Sequence, residues 1–198
     1  VSYVDKKGWT MDAYTQHEPG TGMVDIFPVV AAENVLTDII TDIFQNYWED
    51  VVFGSLVQGA VFEIHAPNAP QRISVFDGYM TINFGAWHFH LCVGENKGTP
   101  KFPTDPALTK VRKCARAEFY RILNADGAPK SWGFRMFNGA GEQMMTVFFP
   151  NPFITKAEKI RKEPDWSRLQ MWDTFRKTYL GLDADPKDRT LDKFRCGG

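Results

Sequence analysis

Apolar residues recur at helical spacing from Asn34 onward: Leu36, Ile39, Ile40, Ile43, Phe44, Tyr47 and Trp48, with Asp38, Asp42, Gln45 and Glu49 between them. Intervals of three and four put these side chains on one stripe of an α-helix. Asn34 is placed to cap it, and Gly54 lies just beyond its expected end. The period then changes to two. Residues 61–65, 72–76, 79–84 and 87–93 are short runs of β-branched and aromatic residues, separated by turn signals at 67–70, at Asp77-Gly78 and at Gly85. Strands joined this closely form an antiparallel meander, because a parallel pair needs a crossover of a dozen residues or so.

After a Gly/Pro-bearing loop at 95–106, residues 107–123 satisfy two patterns at once. Their composition suits a helix, yet Ala115, Ala117 and Phe119 alternate with Arg116, Glu118 and Tyr120 as in a strand. The expectation is a helix in the first half, with the second half open. Two apolar runs, 132–137 and 144–149, flank the Asn- and Gly-containing segment 138–141 and predict a β-hairpin stopped by Pro150 and Pro152. Trp166, Leu169, Trp172, Phe175 and Tyr179 line one face of a helix over 165–180, ended by Gly181. Residues 1–31 have weak periodicity and read as an irregular arm, and the polar residues 183–198 read as a mobile tail. The pattern predicts an α+β fold: antiparallel sheets, a meander plus a hairpin, with flanking helices, in a single domain over 32–182.

Composition narrows the function classes. Hydrophobic residues make up 43% of the 198, and 23 basic residues against 24 acidic ones leave a net charge of −1. A globally disordered chain would pair low hydrophobicity with high net charge, and a phosphate-tracking protein would carry a basic excess. No nucleic-acid partner is expected. The chain has no apolar run of about 18 residues and no signal-like apolar segment in residues 1–20. The expectation is therefore a cytoplasmic protein without a membrane partner. Cys92, Cys114 and Cys196 are odd in number and widely spaced, which suits free thiols in that compartment. Sixteen Phe, six Trp and six Tyr point to a large core, a large flat ligand, or both.

Candidate chemistry concentrates on the strands. In WHFHLCV a two-residue period puts His88, His90 and Cys92 on one face and Trp87, Phe89, Leu91 and Val93 on the other. In VFEIH the same rule places Glu63 and His65 together. Were these faces to coincide, three imidazoles, a carboxylate and a thiol would suit Zn or Fe, with Glu63 as fourth ligand or general base. Read plainly, the same pattern is a solvated sheet face, and Cys92 a small buried hydrophobe. Lys110, Arg112, Lys113, Arg116 and Arg121 form the densest basic run, either a solvated face or a site for ligand carboxylates or phosphates. Met136, Met144 and Met145 read as hairpin core. No phosphate loop, nucleophile elbow or HExxH motif occurs.

Taken in order, LTDIITDIFQNYWEDVV, GAVFEIHAP, FDGYMTINFG, WHFHLCV and MFNGAGEQMMTVFF resemble the cytosolic haem-utilisation carriers of the HemS/ChuX type over residues 36–149. The resemblance implies an α+β fold, a haem site on the sheet and a homodimer or other homo-oligomer. His90, followed by Leu91, falls where that family's strand histidine lies and inherits the role of candidate axial ligand. His88 and His65 do not. The match departs from the family pattern at Pro150-Asn151-Pro152 and at Gln58.

Haem needs an axial donor, an apolar surface for the macrocycle and cations for its propionates. His90, the neighbours Tyr79, Phe84 and Trp87, and the cations Arg112, Lys113 and Arg116 supply that set. Three readings follow: a haem- or tetrapyrrole-binding or trafficking protein with His90 as ligand; a non-haem metalloenzyme holding Zn or Fe on His65, His88, His90 and Glu63; and a non-catalytic accessory or assembly subunit in which the histidines are incidental.

Overall fold

A computed structural model describes residues 2–4, 10–57 and 59–192, with side chains from Asp12 onward. Cys196 and Gln58 lie outside the described residues. The chain divides into two compact units: Val1–Val29 with Glu118–Phe134 and Phe148–Gly198, and Val30–Ala117 with Arg135–Val147. The boundaries expected from the sequence, 1–31, 32–182 and 183–198, do not coincide with these units. The architecture is α+β with antiparallel pairing wherever the register is defined.

Short strands β1 (Ser2–Val4) and β2 (Thr10–Asp12) pair with each other. β3 (Tyr14–Glu18) and β4 (Gly22–Val29) then form a hairpin in the first unit. The expected irregular arm is thus corrected from Tyr14 onward. Val24 and Ile26 are fully buried and Phe27 nearly so; four consecutive residues of β4, Asp25 among them, are buried, which hides the two-residue period by which a half-exposed strand is recognised. Helix α1 (Glu33–Asn46) buries Leu36, Ile39, Ile40, Ile43 and Phe44, the expected stripe. Its N-cap is Ala32, with no side-chain cap, so Asn34 sits inside the first turn, and Tyr47 ends the helix short of Gly54.

Three short strands follow: β5 (Val52–Gly54), β6 (Leu56–Val57) and β7 (Ala60–Val61). The meander comes next as β8 (Arg72–Phe76), β9 (Tyr79–Asn83) and β10 (His88–Cys92), in spatial order β10-β9-β8. Helix α2 (Pro106–Arg112) leads into β11 (Cys114–Leu123), so the doubly patterned segment is helix first and strand second. β12 (Pro129–Asn138) and β13 (Gln143–Phe148) are the expected hairpin. A six-stranded sheet has order β3-β4-β11-β12-β13-β5. The first unit takes β3, β4, residues 118–123 and residues 129–134; the second takes residues 114–117, 135–138, 143–147 and β5.

The expected helix over 165–180 is present in three windings. A 3₁₀ turn (Trp166–Leu169) runs into α3 (Gln170–Phe175) and then a wider π turn (Arg176–Leu180), closed by Gly181 at φ 69°. Leu169, Trp172 and Phe175 are buried as the spacing predicts. In the first unit Phe119 packs at 5.0 Å from Phe134 and 5.9 Å from Phe175, and Phe149 lies 5.3 Å from Phe175. In the second, Phe44 of α1 meets Phe53 at 4.8 Å and Phe89 at 5.5 Å. Among the described residues 13 aromatic side chains are buried, so much of the aromatic content is core.

Candidate functional site

Two tight turns set the register of the meander. Asp77 and Gly78 both adopt positive φ, 47° and 77°, as a two-residue hairpin loop demands. They align Phe76 with Tyr79, Ser74 with Thr81 and Arg72 with Asn83. The next connection aligns Asn83 with His88, Thr81 with His90 and Tyr79 with Cys92. By strand alternation Arg72, Ser74, Phe76, Tyr79, Thr81, Asn83, His88, His90 and Cys92 share one face. The opposite face carries the buried Met80, Ile82 and Leu91.

On the shared face the two histidines come together as the spacing predicts. Both are exposed, and their rings lie 5.0 Å apart. His90 Nδ1 is 2.8 Å from Thr81 Oγ1, a hydrogen bond that orients the ring and leaves Nε2 for another partner. The sequence pattern does not single out Thr81, although a two-residue turn at Gly85-Ala86 pairs it with His90. Trp87 is half-buried, 4.6 Å from Phe84 and 6.2 Å from Phe53. Beside β10 opens a cleft of about 180 Å³ whose lining includes Phe53, Ile64, Trp87, Phe89, His90 and Met144. Clefts for drug-sized ligands run to roughly 300–1,000 Å³, so this one is too small to enclose a macrocycle.

The basic residues separate. Arg112 donates to Asn96 Oδ1 at 2.8 Å, and its charge acts on both Cys92 and Tyr79. Lys113 lines a second, polar cleft with Glu33, Asp77, Glu95 and Lys97, and its charge also reaches Cys92. Arg116 lies instead over the Phe137 ring at 3.6 Å. Asp77 holds the loop beneath α2: its carboxylate accepts from the backbone N–H of Lys97 and Gly98 and from Asn96 Nδ2. Those bonds, that of Lys97 foremost, keep its carboxyl below the usual range.

Neither described cysteine is poised as a nucleophile. Burial raises the Cys92 thiol above its ordinary value despite the hydrogen bond from Tyr79 and the nearby Arg112 charge. Burial also pushes Cys114 up to about 11. Burial, and next the neighbouring Cys92, raise Tyr79 as well.

The second histidine-bearing segment forms only part of the strand that its spacing predicts over 61–65. Only Ala60–Val61 pairs there as β7, followed by a single bridge from Ile64 to Phe53; Glu63 and His65 are exposed and outside the β8-β9-β10 sheet. The neighbour of VFEIH is residues 53–57: Phe62 N–H donates to Ser55 and Ile64 exchanges both backbone bonds with Phe53, so the segment runs beside β5 and β6 and not beside β10. Among the described residues no group of three or more His, Cys, Asp or Glu is arranged to hold a metal ion, so Glu63, His65, His88 and His90 are not assembled into one site.

The densest cluster of charges lies in the first unit and was missed. Arg121 donates to Asp25 at 2.9 Å, Asp185 at 2.9 Å and Asp188 at 2.8 Å, and Lys187 also reaches Asp25 at 2.9 Å. Asp188 is fully buried and accepts from the indole N–H groups of Trp132 and Trp172 at 2.7 and 2.8 Å. The expected mobile tail is therefore corrected through Arg189, a 3₁₀ turn (Pro186–Arg189) that places this carboxylate. Burial works against ionisation of Asp25, but bonds from Thr15, Lys187 and Arg121 outweigh it and lower its pKa. Arg121 and the three carboxylates it bonds are committed to one another, which makes this cluster structural.

A family model described as a family of unknown function, DUF7676, matches residues 13–181. No curated protein matches the chain. Among the described residues no helix is long and apolar enough to cross a membrane.

Proposed function

The chain belongs to a family of unknown function, and we propose that it binds haem or a related tetrapyrrole on the exposed face of the β8-β9-β10 sheet, with His90 as axial ligand. The observation that carries this reading is the His90 imidazole itself: exposed, fixed through Nδ1 by Thr81, and free at Nε2 on an open sheet face. The macrocycle rests on the face because the cleft beside β10 is too small for it. Cys92 stands two residues along the strand from His90, about 7 Å at strand rise, and the Arg112 and Lys113 charges act there. That span is of the order of a porphyrin radius, so these two cations serve the propionates. Tyr79 shares the His90 face and flanks the ligand; Trp87, packed against Phe84 and Phe53 on the opposite face, and Arg116, held over Phe137, do not contribute. Binding on an open face suits a carrier that must hand its ligand on. The free thiols of Cys92 and Cys114 agree with a cytoplasmic setting.

Haemin titration tests the reading. A Soret band should appear at one equivalent, weaken strongly in His90→Ala and persist in His65→Ala. Absence of the band in the parent chain, or full intensity in His90→Ala, overturns it. The non-haem metal reading draws its support from the 5.0 Å spacing of His88 and His90, which suits a two-imidazole chelate of Zn or Fe without Glu63 or His65. Elemental analysis separates the two: stoichiometric Zn or Fe without a Soret band, lost in His88→Ala, selects the metal.

A further inference from the structure

β8 ends its sheet: among the described residues β9 pairs with it on one side and no strand pairs on the other. The two-residue turn at Asp77-Gly78 makes Phe76 and Tyr79 the hydrogen-bonded pair that closes the hairpin. Alternation then turns the N–H and C=O groups of Phe76, Ser74 and Arg72 toward β9 and those of Val75 and Ile73 outward. Natural edge strands are usually blunted by lysine, proline or a bulge. The sequence of β8, RISVF, has no proline and one charge, Arg72 at its start. Phe76 is 83% exposed and Val75 38%.

We propose that β8 pairs antiparallel with β8 of a second copy of this chain, about a dyad through Ser74. This register brings the outward-facing groups of Ile73 opposite those of Val75 from the other copy, and the reverse, so both residues gain ladder partners. A slip of the dyad to Ile73 or Val75 leaves only one such residue paired with itself. The same register sets Arg72 across from Phe76 of the other copy, twice by symmetry. These are non-hydrogen-bonded positions, where facing side chains approach most closely, and a guanidinium over an exposed phenyl ring is a favourable contact. Ser74 faces Ser74 at the centre. The occupant is therefore a second copy, because this strand is complementary to itself in charge, ring and backbone pattern. The isologous contact closes as a dimer and leaves no further edge of β8 to propagate. A dyad normal to the sheet also keeps the His88/His90 faces of both copies on the same side of one continuous sheet.

Sedimentation equilibrium of the full chain and its variants tests this. The parent chain should be a dimer at micromolar concentration. Phe76→Lys sets like charges opposite each other at both ends and should weaken the dimer about tenfold or more. Combining it with Arg72→Glu restores opposite charges and should recover most of that loss. Val75→Pro removes only an outward N–H, which an edge strand tolerates, and should give a folded monomer with an unchanged circular dichroism spectrum. A parent chain that stays monomeric at high micromolar concentration overturns the proposal. So does a Phe76→Lys variant that dimerises as the parent does, or a double variant no tighter than Phe76→Lys alone.

Discussion

In the first unit a carboxylate, Asp188, is fully buried and takes bonds from two indoles and a guanidinium; in the second, the buried space is filled by Phe44, Phe53 and Phe84 while His88 and His90 stay exposed. Both regions hold clusters of potentially reactive groups, and they have opposite capacities. Every carboxylate around Arg121 already has a cation or an N–H donor at hydrogen-bond distance, which commits these acids to the fold, and the Arg176 guanidinium beside them is shut away from solvent. The imidazoles are fewer, yet His90 is oriented and still has a ring nitrogen to offer. Density of charge is thus a poor guide to a binding site, and spare coordination on an oriented group is a better one.

The sharpest way to break this contrast is to remove the buried acid. Asp188→Ala should leave both indole N–H groups without their acceptor and take from Arg121 one of its three carboxylates, the fully buried one. Taking one member from a buried ion pair costs about 3–5 kcal/mol, and denaturant unfolding should register a loss of that size. Haemin titration of whatever remains folded should be unchanged if the second unit alone carries the ligand. The apolar counterpart is Phe44→Ala. Phe44 is fully buried and meets Phe53, Phe84 and Phe89 at 4.8, 6.1 and 5.5 Å. Truncating such a ring costs about 3–5 kcal/mol, and urea melts should show it.

The two clusters were unequally legible in the sequence. Phe44 and its stripe stand out because a helix repeats its apolar face within a few residues. The same locality exposes the His88/His90 pair and the strands on either side of Asp77-Gly78. Asp188 joins residues 56 and 67 positions away, Trp132 and Arg121, and no local period connects it to them. A polar 3₁₀ turn near the end of a chain looks like a solvated tail until its partners are known. The failure at Glu63 and His65 has another cause: two-residue alternation over five positions is visible locally, but the choice of neighbour is not, and the segment bonds to residues 53–57 and stays outside the β8-β9-β10 sheet. The α2–β11 segment remained open because its composition and its alternation are each valid in a different half.

Acid should separate the units next, with a smaller and more gradual effect. Burial opposes ionisation of both Asp25 and Asp185, yet their hydrogen bonds and the Arg121 charge outweigh it, so both pKa values are lowered in the folded state. A depressed carboxylate contributes stability that is present above its unfolded pKa, about 3.9, and lost as pH falls through the folded value. Stability measured by denaturant should therefore hold above about pH 5 and decline as the pH falls further. Asp25→Asn should be less stable at neutral pH and show a shallower acid slope. A slope equal to that of the parent chain would assign acid sensitivity to other carboxylates.

The smallest expected change in stability is the most informative about function. His90 is exposed, and apart from Thr81 Oγ1 its ring contacts His88 edge-on. Substitution at such a position usually shifts stability by no more than about 0.5 kcal/mol, so His90→Ala should melt with the parent chain while losing most of the Soret band. Thr81→Val should keep the imidazole but release its orientation, weakening haemin binding less than His90→Ala does. Were Thr81→Val to destabilise the fold as strongly as Phe44→Ala, the hydroxyl would belong to the structural half of the comparison, with the Asp188 cluster, and His90 would lose its standing as a group held ready for a ligand.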